Sequence, residues 1–397
     1  MAELTMTRSR VTSIDILRGL VMVIMALDHV RDFFHIHGAD DVPTNMATTT
    51  PFLFFTRWIT HFCAPVFVFL AGTSGFLQSL RKSKKELSTF LIKRGLWLVL
   101  VEVLIVTLGI TFDLTYQIFI LQVIWAIGVG MIILGLLVWL PFPVILIYGL
   151  LVVFFHNLAD VPERLRDGQV GTLWAFAHGG FNFVPIGDRG ILMVYAFLPW
   201  SGVMALGYCF GKIFHPSIDV AARKRILIYL GSSLILLFLI LRGFNNYGDP
   251  FPWSSQPRGT TYTILSFFNA NKYPPSLVYF CMTIGPAILL LAFIEGVRNK
   301  VGNFFIIYGR VPFFYYIVHF YLIHLICVVL FYVEGYSSAE IRSPNSPFLF
   351  RPLNFGYNIG IVLLIWILVV LALYPLCRMY DRYKTGNISR KWWLSYV

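Results

Sequence analysis

Four ionisable residues near the start of the sequence could carry acid–base chemistry. Asp28 and His29 lie in one apolar run, and Arg57 and His61 lie in the next. Ionisable groups in hydrocarbon are costly, so they are kept mainly where they face a polar cavity or one another. A neutral imidazole can take a proton near pH 7, and a neighbouring carboxylate can hold its tautomer. We therefore predict a catalytic group made of His29, His61, Asp28 and Arg57.

Helical geometry indicates which of these residues can meet. At about 1.5 Å per residue, His29 lies roughly 22 Å above the inner end of its helix, and His61 lies roughly 14 Å below the outer end of the next helix. The two imidazoles can therefore share a level. Arg57 and His61 are spaced i, i+4 and share a helix face, whereas Asp28 points about 100° away from His29 and could serve another partner. The alternative is a buried network that only locks the two helices together.

Further histidines are secondary candidates. His35 and His37 follow the first apolar run, and His319 and His324 lie in a late one. The last two are five residues apart and so lie on different helix faces, and a hydrogen-bonded core histidine is the alternative for each. No histidine spacing matches a zinc motif and no carboxylates cluster with them, so we predict no metal.

Three other polar residues are expected at membrane depth, namely Glu102, Gln117 and Gln122. They could line the same cavity as the histidines. The alternative is that they form hydrogen bonds between helices.

Composition determines the elements that must position these side chains. Of the 397 residues, 58% are hydrophobic and only 13% are charged, which excludes a soluble fold of this length. Apolar segments recur along the whole chain, with no long polar stretch for a second domain. The sequence predicts one all-α domain over residues 1–397, a polytopic helical bundle integral to the membrane.

A membrane span needs about 20 mostly apolar residues. By this measure we predict ten transmembrane helices, with eleven as the alternative count. They lie at roughly 14–36, 52–79, 90–111, 117–138, 141–156, 190–213, 224–242, 276–296, 311–333 and 358–378.

Basic residues predict the orientation, because segments rich in Lys and Arg stay cytoplasmic. Both termini are expected inside, as a cytoplasmic segment 1–13 that holds Arg8 and Arg10 and a cytoplasmic tail 379–397. The first apolar run is charged and lacks a small-residue cleavage site, so we expect a retained helix rather than a signal peptide. Topology and anionic lipid then account for the net charge of +12 without nucleic acid.

The longer loops are expected on the outer side, where they could cover a polar or sugar-like substrate. They fall at roughly 157–189, 243–275 and 334–357 and are rich in Gly, Pro, Asn, Trp and Tyr. The prolines of Gly248–Arg258 exclude helix and strand there. We expect this segment to be either an ordered cap or a mobile lid.

The first two spans carry a resemblance to a known family. SIDILRGLVMVIMALDHVRDFF and RWITHFCAPVFVFLAGTSGFL resemble the opening helices of the heparan-alpha-glucosaminide N-acetyltransferase-like family of bacterial membrane proteins. LPWSGVMALGYCFGK, KYPPSLVYFCMTIGPAILLL and GRVPFFYYIVHFYLIH resemble its later blocks. The interval from Arg18 to His29 is also similar to the arginine-to-histidine motif of the wider membrane acyltransferase superfamily, in which the histidine of the first helix is essential.

The resemblance implies roles for particular residues. His29 would be a general base or a transient acyl acceptor, and Arg18 would assist on the cytoplasmic route of the acyl donor. The enzyme that names the family has an asparagine near the position of His29 and its histidine further along, which keeps His35, His37 and His61 as candidates. Arg57 or a backbone N–H could stabilise the oxyanion.

The implied reaction moves an acyl group, specifically acetyl, from cytoplasmic acyl-CoA to an amine or hydroxyl of a glycan-like acceptor outside. We expect the bacterial cytoplasmic membrane as its location. Acetyl-CoA would be a co-substrate, with no bound cofactor. Further partners are the lipid bilayer and the acceptor, with a homodimer left open. The donor phosphates could be held by Arg18, Lys82, Lys84 and Lys85, although topology alone would also explain the lysine run.

Two other functional classes are weighed against acyl transfer. In a transporter or permease, Asp28, His29, Arg57 and His61 would form a proton relay or a substrate site at mid-membrane. The lack of a recognisable internal repeat counts modestly against this class. A non-catalytic receptor or assembly subunit would tolerate His29→Ala, and the cost of burying the polar cluster argues against it. Acyl transfer is the favoured interpretation.

Overall fold

The computed structural model describes residues 11–38, 41–161, 171–343, 346–387 and 390–395. Arg8 and Arg10, on which the predicted orientation partly depends, lie outside these residues. Most of the described chain is helical. Six helical segments within it are long and apolar enough to cross a membrane: Pro51–Ser79, Phe142–Ala159, Val220–Phe244, Leu277–Ile294, Pro312–Val333 and Ile359–Asn387. A mostly helical membrane protein is thereby supported, while the count of ten spans and the cytoplasmic termini stay predictions.

The first five helices include the two that carry Asp28, His29 and Arg57. They are α1 (Thr12–Phe34), α2 (Pro51–Thr60), α3 (Cys63–Ser79), α4 (Lys84–Val101) and α5 (Thr107–Thr111). Thr50 caps α2 by accepting a hydrogen bond from the Leu53 N–H, and proline occupies the first helical position. One turn of π-helix, Glu102–Val106, joins α4 to α5.

The remaining helices follow in chain order. They are α6 (Val123–Leu137), α7 (Phe142–Phe155), α8 (Thr172–Ala177), α9 (Phe197–Phe210), α10 (Val220–Phe244), α11 (Thr260–Phe268), α12 (Leu277–Ile294), α13 (Lys300–Arg310), α14 (Pro312–Val333) and α15 (Ile359–Asn387). Side chains at the first turns fix where several of them begin. Ser276 caps α12, for example, and Asn299 caps α13.

A small sheet corrects the all-α prediction. Its strands are β1 (Ile118–Leu121), β2 (Asn182–Ile186) and β3 (Arg189–Met193), in the order β1-β3-β2. β1 pairs in parallel with β3, with Ile118 opposite Gly190, and β2 pairs with β3 in antiparallel register. The predicted spans 117–138 and 190–213 therefore begin in strands rather than helices. Their apolar runs satisfy the hydropathy criterion, but hydropathy cannot distinguish a short buried strand from a helix.

Helix α1 lies inside the protein and packs most closely against α13. A Cβ atom at Gly19 would fall 1.8 Å from the Phe305 carbonyl oxygen, and one at Gly309 would fall 1.9 Å from the Asp15 carbonyl oxygen. Only glycine allows two backbones to approach this closely. The charged helix is thus enclosed by other helices, which explains how it can carry Asp28 and His29 at depth.

The segment Gly248–Arg258 is neither helix nor strand, as its prolines predict, and hydrogen bonds connect this region to neighbouring residues. Asn245 exchanges hydrogen bonds with the backbone of Trp253, at 2.9 and 3.1 Å, and the Trp253 indole N–H donates to the Arg242 carbonyl at 2.7 Å. Arg258 donates to the carbonyl oxygens of Met46 and Thr49, at 2.9 and 2.8 Å. We call residues 245–276 the outer cap, after the membrane side on which this loop is predicted to lie. These bonds join it to the loop that precedes α2.

Candidate active site

Two histidines from distant parts of the chain meet beside α1. His29 Nδ1 lies 2.6 Å from Nε2 of His319 on α14. The other nitrogen of His319, Nδ1, lies 2.5 Å from the Tyr316 carbonyl oxygen, and a carbonyl can only accept a hydrogen bond. A neutral His319 therefore carries its proton on Nδ1 and accepts on Nε2. His29 must then donate from Nδ1, which leaves its Nε2 unprotonated and able to act as a base.

Aromatic rings fix the orientation of both imidazoles. His29 stacks on Phe320 with ring centroids 4.3 Å apart, and Tyr316 meets it edge-on at 6.3 Å. His319 is fully buried and lies parallel to Tyr315 at 5.5 Å. Because these neighbours are apolar on the ring faces, the imidazoles have few alternative orientations. The hydrogen bond between them is consequently preorganised.

Asp28 belongs to an ionic junction rather than to the histidine pair. Nη1 of Arg57 lies 2.5 Å from both carboxylate oxygens, the Thr60 hydroxyl donates to Oδ1 at 2.9 Å, and Arg31 forms a further ion pair. Neighbouring side chains on a helix diverge by about 100°, so Asp28 faces α2 while His29 faces α14. The tautomer of His29 is set by His319, a partner that the sequence argument did not assign to it.

His61 lies in the turn that separates α2 from α3, within a stretch that the sequence predicts as one span. Its carbonyl oxygen accepts a hydrogen bond from the Tyr279 hydroxyl at 2.8 Å, and its ring meets the Tyr279 ring at 5.5 Å. Nδ1 of His61 is buried without a hydrogen-bond partner among the described residues. The contacts described for His61 thus connect it to α12, whereas Arg57 is directed at Asp28.

A cavity opens beside the histidine pair. Its volume is about 20 Å³, and it lies between α1, α2, α3, the start of α6 and the outer cap. Its polar lining includes Asp28, His29, Thr60, Gln122, Tyr195 and Lys272. Ligand sites are commonly concave, largely apolar and furnished with a few convergent polar groups. This cavity is small but brings several polar groups together next to His29.

Lys272 is the site residue that sequence reasoning missed. It is only 8% exposed, and its ammonium lies 4.0 Å from Asp28 Oδ2. The ammonium also lies 5.2 Å from the ring centroid of Tyr273 and 5.8 Å from that of Tyr195. In the sequence it falls within the predicted outer loop 243–275. Its position at the start of the block KYPPSLVYF, which resembles the family, could have indicated that it belongs to the site.

Arg18 and the lysine run lie towards the helix ends that are predicted to face the cytoplasm. Arg18 donates to the Ser74 hydroxyl at 3.0 Å and to the Gly309 carbonyl at 3.1 Å, so it joins α1 to α3 and α13. Lys84 donates to the Trp139 carbonyl at 3.3 Å. Lys82 lies over the Phe90 ring at 5.4 Å, and Lys85 is exposed at the start of α4.

The other secondary candidates lie away from the cavity lining. Nε2 of His324 is 2.9 Å from the Leu349 carbonyl oxygen, and its ring stacks on Phe112 with centroids 3.8 Å apart. Nδ1 of His35 accepts from the His37 N–H at 3.3 Å at the outer end of α1. The contacts of His324 tie α14 to the outer loops. Of the secondary candidates, only His319 reaches the polar group around His29.

Residues 10–244 match a family model described as heparan-alpha-glucosaminide N-acetyltransferase, catalytic. The match covers more than half of the chain and runs from α1 to the end of α10. It includes Asp28, His29 and Gln122, whereas Lys272 and His319 lie beyond it. No curated protein matches the chain.

Proposed function

This chain belongs to the heparan-alpha-glucosaminide N-acetyltransferase catalytic family, and from that premise we propose that it transfers an acetyl group from cytoplasmic acetyl-CoA to an amine or hydroxyl of a glycan-like acceptor on the outer side of the membrane. The family supports an N-acetyltransferase type of activity. The donor, the acceptor and the sidedness are our proposal, as is a location in the bacterial cytoplasmic membrane.

The observation that carries the proposal is the hydrogen bond between His29 and His319, with Nδ1 and Nε2 2.6 Å apart. It leaves Nε2 of His29 as an unprotonated base beside a polar cavity. In the proposed reaction, Nε2 takes the proton of the acceptor as its nitrogen or oxygen bonds to the thioester carbonyl carbon. The C–S bond then breaks, and the departing thiolate takes that proton from His29. His319 accepts from Nδ1 throughout and is a positioning residue.

A covalent route is the competing version of the same activity. Nε2 of His29 would itself attack the thioester carbonyl carbon and release CoA as the C–S bond breaks. The acceptor would then bond to the acetyl carbon as the bond from that carbon to Nε2 breaks, which restores the free histidine, and the proton that the acceptor loses would balance the thiolate released in the first step. Both routes need the same unprotonated Nε2. They differ in whether label from the donor stays on the protein when no acceptor is present.

The depth of the residues along α1 supports a reaction between the two membrane faces. His29 is five residues from the outer end of α1, or about 8 Å, and Arg18 is about 16 Å further inward. We propose that Arg18 and the run of Lys82, Lys84 and Lys85 guide the phosphates of acetyl-CoA at the inner face. The acceptor would approach His29 from the outer cap.

The test is incubation of the purified full chain, in lipid nanodiscs, with radiolabelled acetyl-CoA. Donor binding, slow hydrolysis and label retained on the protein are measured for wild type, His29→Ala and His61→Ala. We expect hydrolysis or labelling that is lost in His29→Ala. His37→Ala is the matched control, because His37 is exposed and does not line the cavity. A folded wild-type sample that neither binds nor hydrolyses acetyl-CoA would contradict the proposal.

That contradicting result would favour a transporter. The junction around Asp28 is the observation behind this second candidate, because one buried carboxylate there pairs with Arg31 and Arg57 and lies near Lys272. Such a group could exchange partners during transport. Uptake of a labelled solute into vesicles that depends on Asp28 would then be the expected finding.

A further inference from the structure

We propose that Lys272 and Gln122 form a binding site for a negatively charged oxygen, opposite His29 in the cavity. Its ligand class is a small carboxylate or the oxyanion that develops from a thioester carbonyl. The catalytic use of this site rests on the proposed acetyl transfer, whereas binding of a carboxylate does not. The proposal departs from the earlier expectation that Arg57 would stabilise the oxyanion.

The charged side chains around the cavity would be stabilised by a bound anion. Three cations, Arg31, Arg57 and Lys272, cluster there with two carboxylates, Asp28 and Asp32. Asp28 is already bonded to both arginines, and its distance of 4.0 Å from the Lys272 ammonium exceeds a normal hydrogen bond. The Asp32 side chain is 38% exposed and pairs with Arg31. Lys272 bonds the Tyr273 hydroxyl, but its nearest carboxylate among the described residues is Asp28 at 4.0 Å, so an anion in the cavity would stabilise this buried cation.

The Tyr273 hydroxyl responds to the same positive charge. Burial alone would raise the pKa of Tyr273, but Lys272, which forms a hydrogen bond with that hydroxyl, and Arg57 hold the pKa below its ordinary value. The positive charge of Lys272 and Arg57 therefore outweighs the effect of burial at this position.

The outer cap holds the backbone on both sides of Lys272 in place. Asp249 accepts hydrogen bonds from the Asn271 N–H and the Ser276 hydroxyl, both at 3.0 Å, and Arg242 lies 3.8 Å from the same carboxylate oxygen. The Asn271 side chain donates to the Pro274 carbonyl at 2.9 Å. Lys272 therefore enters the cavity from a fixed loop, as a preorganised electrostatic group requires.

Gln122 supplies a second donor from another side of the cavity. Its backbone N–H donates to Oε1 of Glu102 at 2.5 Å, which fixes the residue at the start of α6. Gln122 itself lines the cavity. The start of the 15-residue helix α6 adds a favourable dipole for an anion. Gln122 and Lys272 thus line the same cavity as His29.

These two groups suit the reaction at the thioester carbonyl. When the acceptor attacks, the carbonyl oxygen becomes an oxyanion, and Lys272 and Gln122 can each donate one hydrogen bond to it. Neither donor gives up its proton, and the C=O bond re-forms when the C–S bond breaks. Removing one oxyanion donor commonly lowers kcat by about 10²- to 10³-fold. Ground-state binding of the donor would change little.

The test has one arm that is independent of acetyl-CoA. Binding of ¹⁴C-acetate to the full chain in nanodiscs is measured for wild type, Lys272→Met, Lys272→Arg and Gln122→Leu. We expect saturable binding by wild type, an affinity loss of at least about tenfold in Lys272→Met and Gln122→Leu, and partial recovery in Lys272→Arg, because that variant keeps a cation. Lys224→Met, at an exposed lysine of α10, is the matched control and should bind like wild type.

The second arm measures acetyl-CoA hydrolysis by the same samples. We expect Lys272→Met to lower kcat by about 10²-fold with KM for acetyl-CoA within about twofold. Equal acetate affinity in wild type and Lys272→Met, or no acetate binding by folded wild type, would overturn the anion site. Should Lys272→Met fail to fold, Gln122→Leu and Lys272→Arg decide the same question.

The two arms separate this inference from the proposed function. Acetate binding that depends on Lys272, in a protein that never hydrolyses acetyl-CoA, would keep the anion site and refute the acetyl transfer. Hydrolysis by wild type that is unchanged in both Lys272→Met and Gln122→Leu would keep the acetyl transfer and refute the oxyanion role.

Discussion

Two pairs of histidines differ in what surrounds them. His29 and His319 meet at 2.6 Å beside a polar cavity, and His156 and His178 meet at 3.1 Å with the same Nδ1 to Nε2 geometry. The second pair is buried next to Trp174 and Phe280, at the outer end of α7. Neither of its members lines the cavity. Because base chemistry needs a ring nitrogen that faces a cavity with polar groups, we expect it at the first pair and not at the second.

The two pairs should differ most in acetyl-CoA turnover when His29 or His156 is replaced by alanine. We expect His29→Ala to lower acetyl-CoA turnover by about 10²- to 10⁴-fold, because the general base is lost. His156→Ala should leave turnover within about threefold and act mainly on thermal stability. Single-turnover hydrolysis and the midpoint of thermal unfolding are measured on the same samples. Equal losses of turnover in the two variants would remove the distinction between the pairs.

A smaller effect is expected when only the positioning residue changes. His319→Ala should lower kcat by about 10-fold to 10²-fold with little change in KM, because His29 loses the acceptor that holds its tautomer. His319→Gln keeps an oxygen acceptor and should recover part of kcat. His178→Ala is the matched change in the other pair. Recovery that is no better with Gln than with Ala would argue that His319 acts only through packing.

Removal of the Arg351 side chain, which bonds the end of α1 near His29, should lower the stability of the protein. Arg351 is fully buried and donates to the carbonyl oxygens of Asp32, Phe33 and His35, at 2.9, 3.0 and 2.8 Å. These carbonyls lie at the C-terminal end of α1, where a helix runs out of its own donors, and that of His35 also accepts from the Gly38 N–H at 2.8 Å. Arg351→Met should lower the free energy of unfolding by about 2 kcal/mol, since buried acceptors lose their donor. Thermal unfolding checks this value.

Arg342→Met is the control for that change. Arg342 pairs with Asp113 at 3.2 Å, but its side chain is 51% exposed. Solvent screens such a pair, so its loss should cost less than about 1 kcal/mol. A larger loss of stability in Arg342→Met than in Arg351→Met would contradict the role given to the Arg351 hydrogen bonds at the end of α1.

The smallest expected effect concerns pH. Burial tends to raise the pKa of Asp113, but hydrogen bonds from Thr115 and the Arg342 ion pair hold it below its ordinary value. A carboxyl whose pKa is lowered in the folded protein adds stability above its unfolded pKa of about 3.9, and this stability is lost as pH falls through the folded pKa. The Tm difference between wild type and Asp113→Asn should therefore be largest near neutral pH and shrink towards pH 3. A constant difference would contradict this cause.

The sequence predicted part of this arrangement for definite physical reasons. Charge inside an apolar run is costly, so Asp28, His29 and Arg57 could be recognised as members of a polar site. The structure brings Asp28 and Arg57 together as a direct ion pair. Their helices are adjacent in sequence, which made that contact accessible to reasoning from periodicity and depth.

The remaining features depend on contacts between distant segments. His319 is 290 residues from His29, and helical periodicity on α14 could not show which of its two histidines faces α1. Lys272 enters through a loop whose path is fixed by Asp249 and Arg242, which hydropathy does not describe. The strands β1 and β3 were read as parts of spans because their apolar runs satisfy the same length criterion.

The most direct test of the central claim is the position of the protons on His29 and His319. Solid-state NMR of the ¹⁵N-histidine-labelled protein in lipid detects a coupling between two nitrogens that share a hydrogen bond, and His319→Gln identifies the relevant signals by removing them. We predict a coupling from protonated Nδ1 of His29 to bare Nε2 of His319, with Nε2 of His29 also bare at neutral pH. A proton on Nε2 of His29, with Nδ1 bare, would contradict the assignment of His29 as the base.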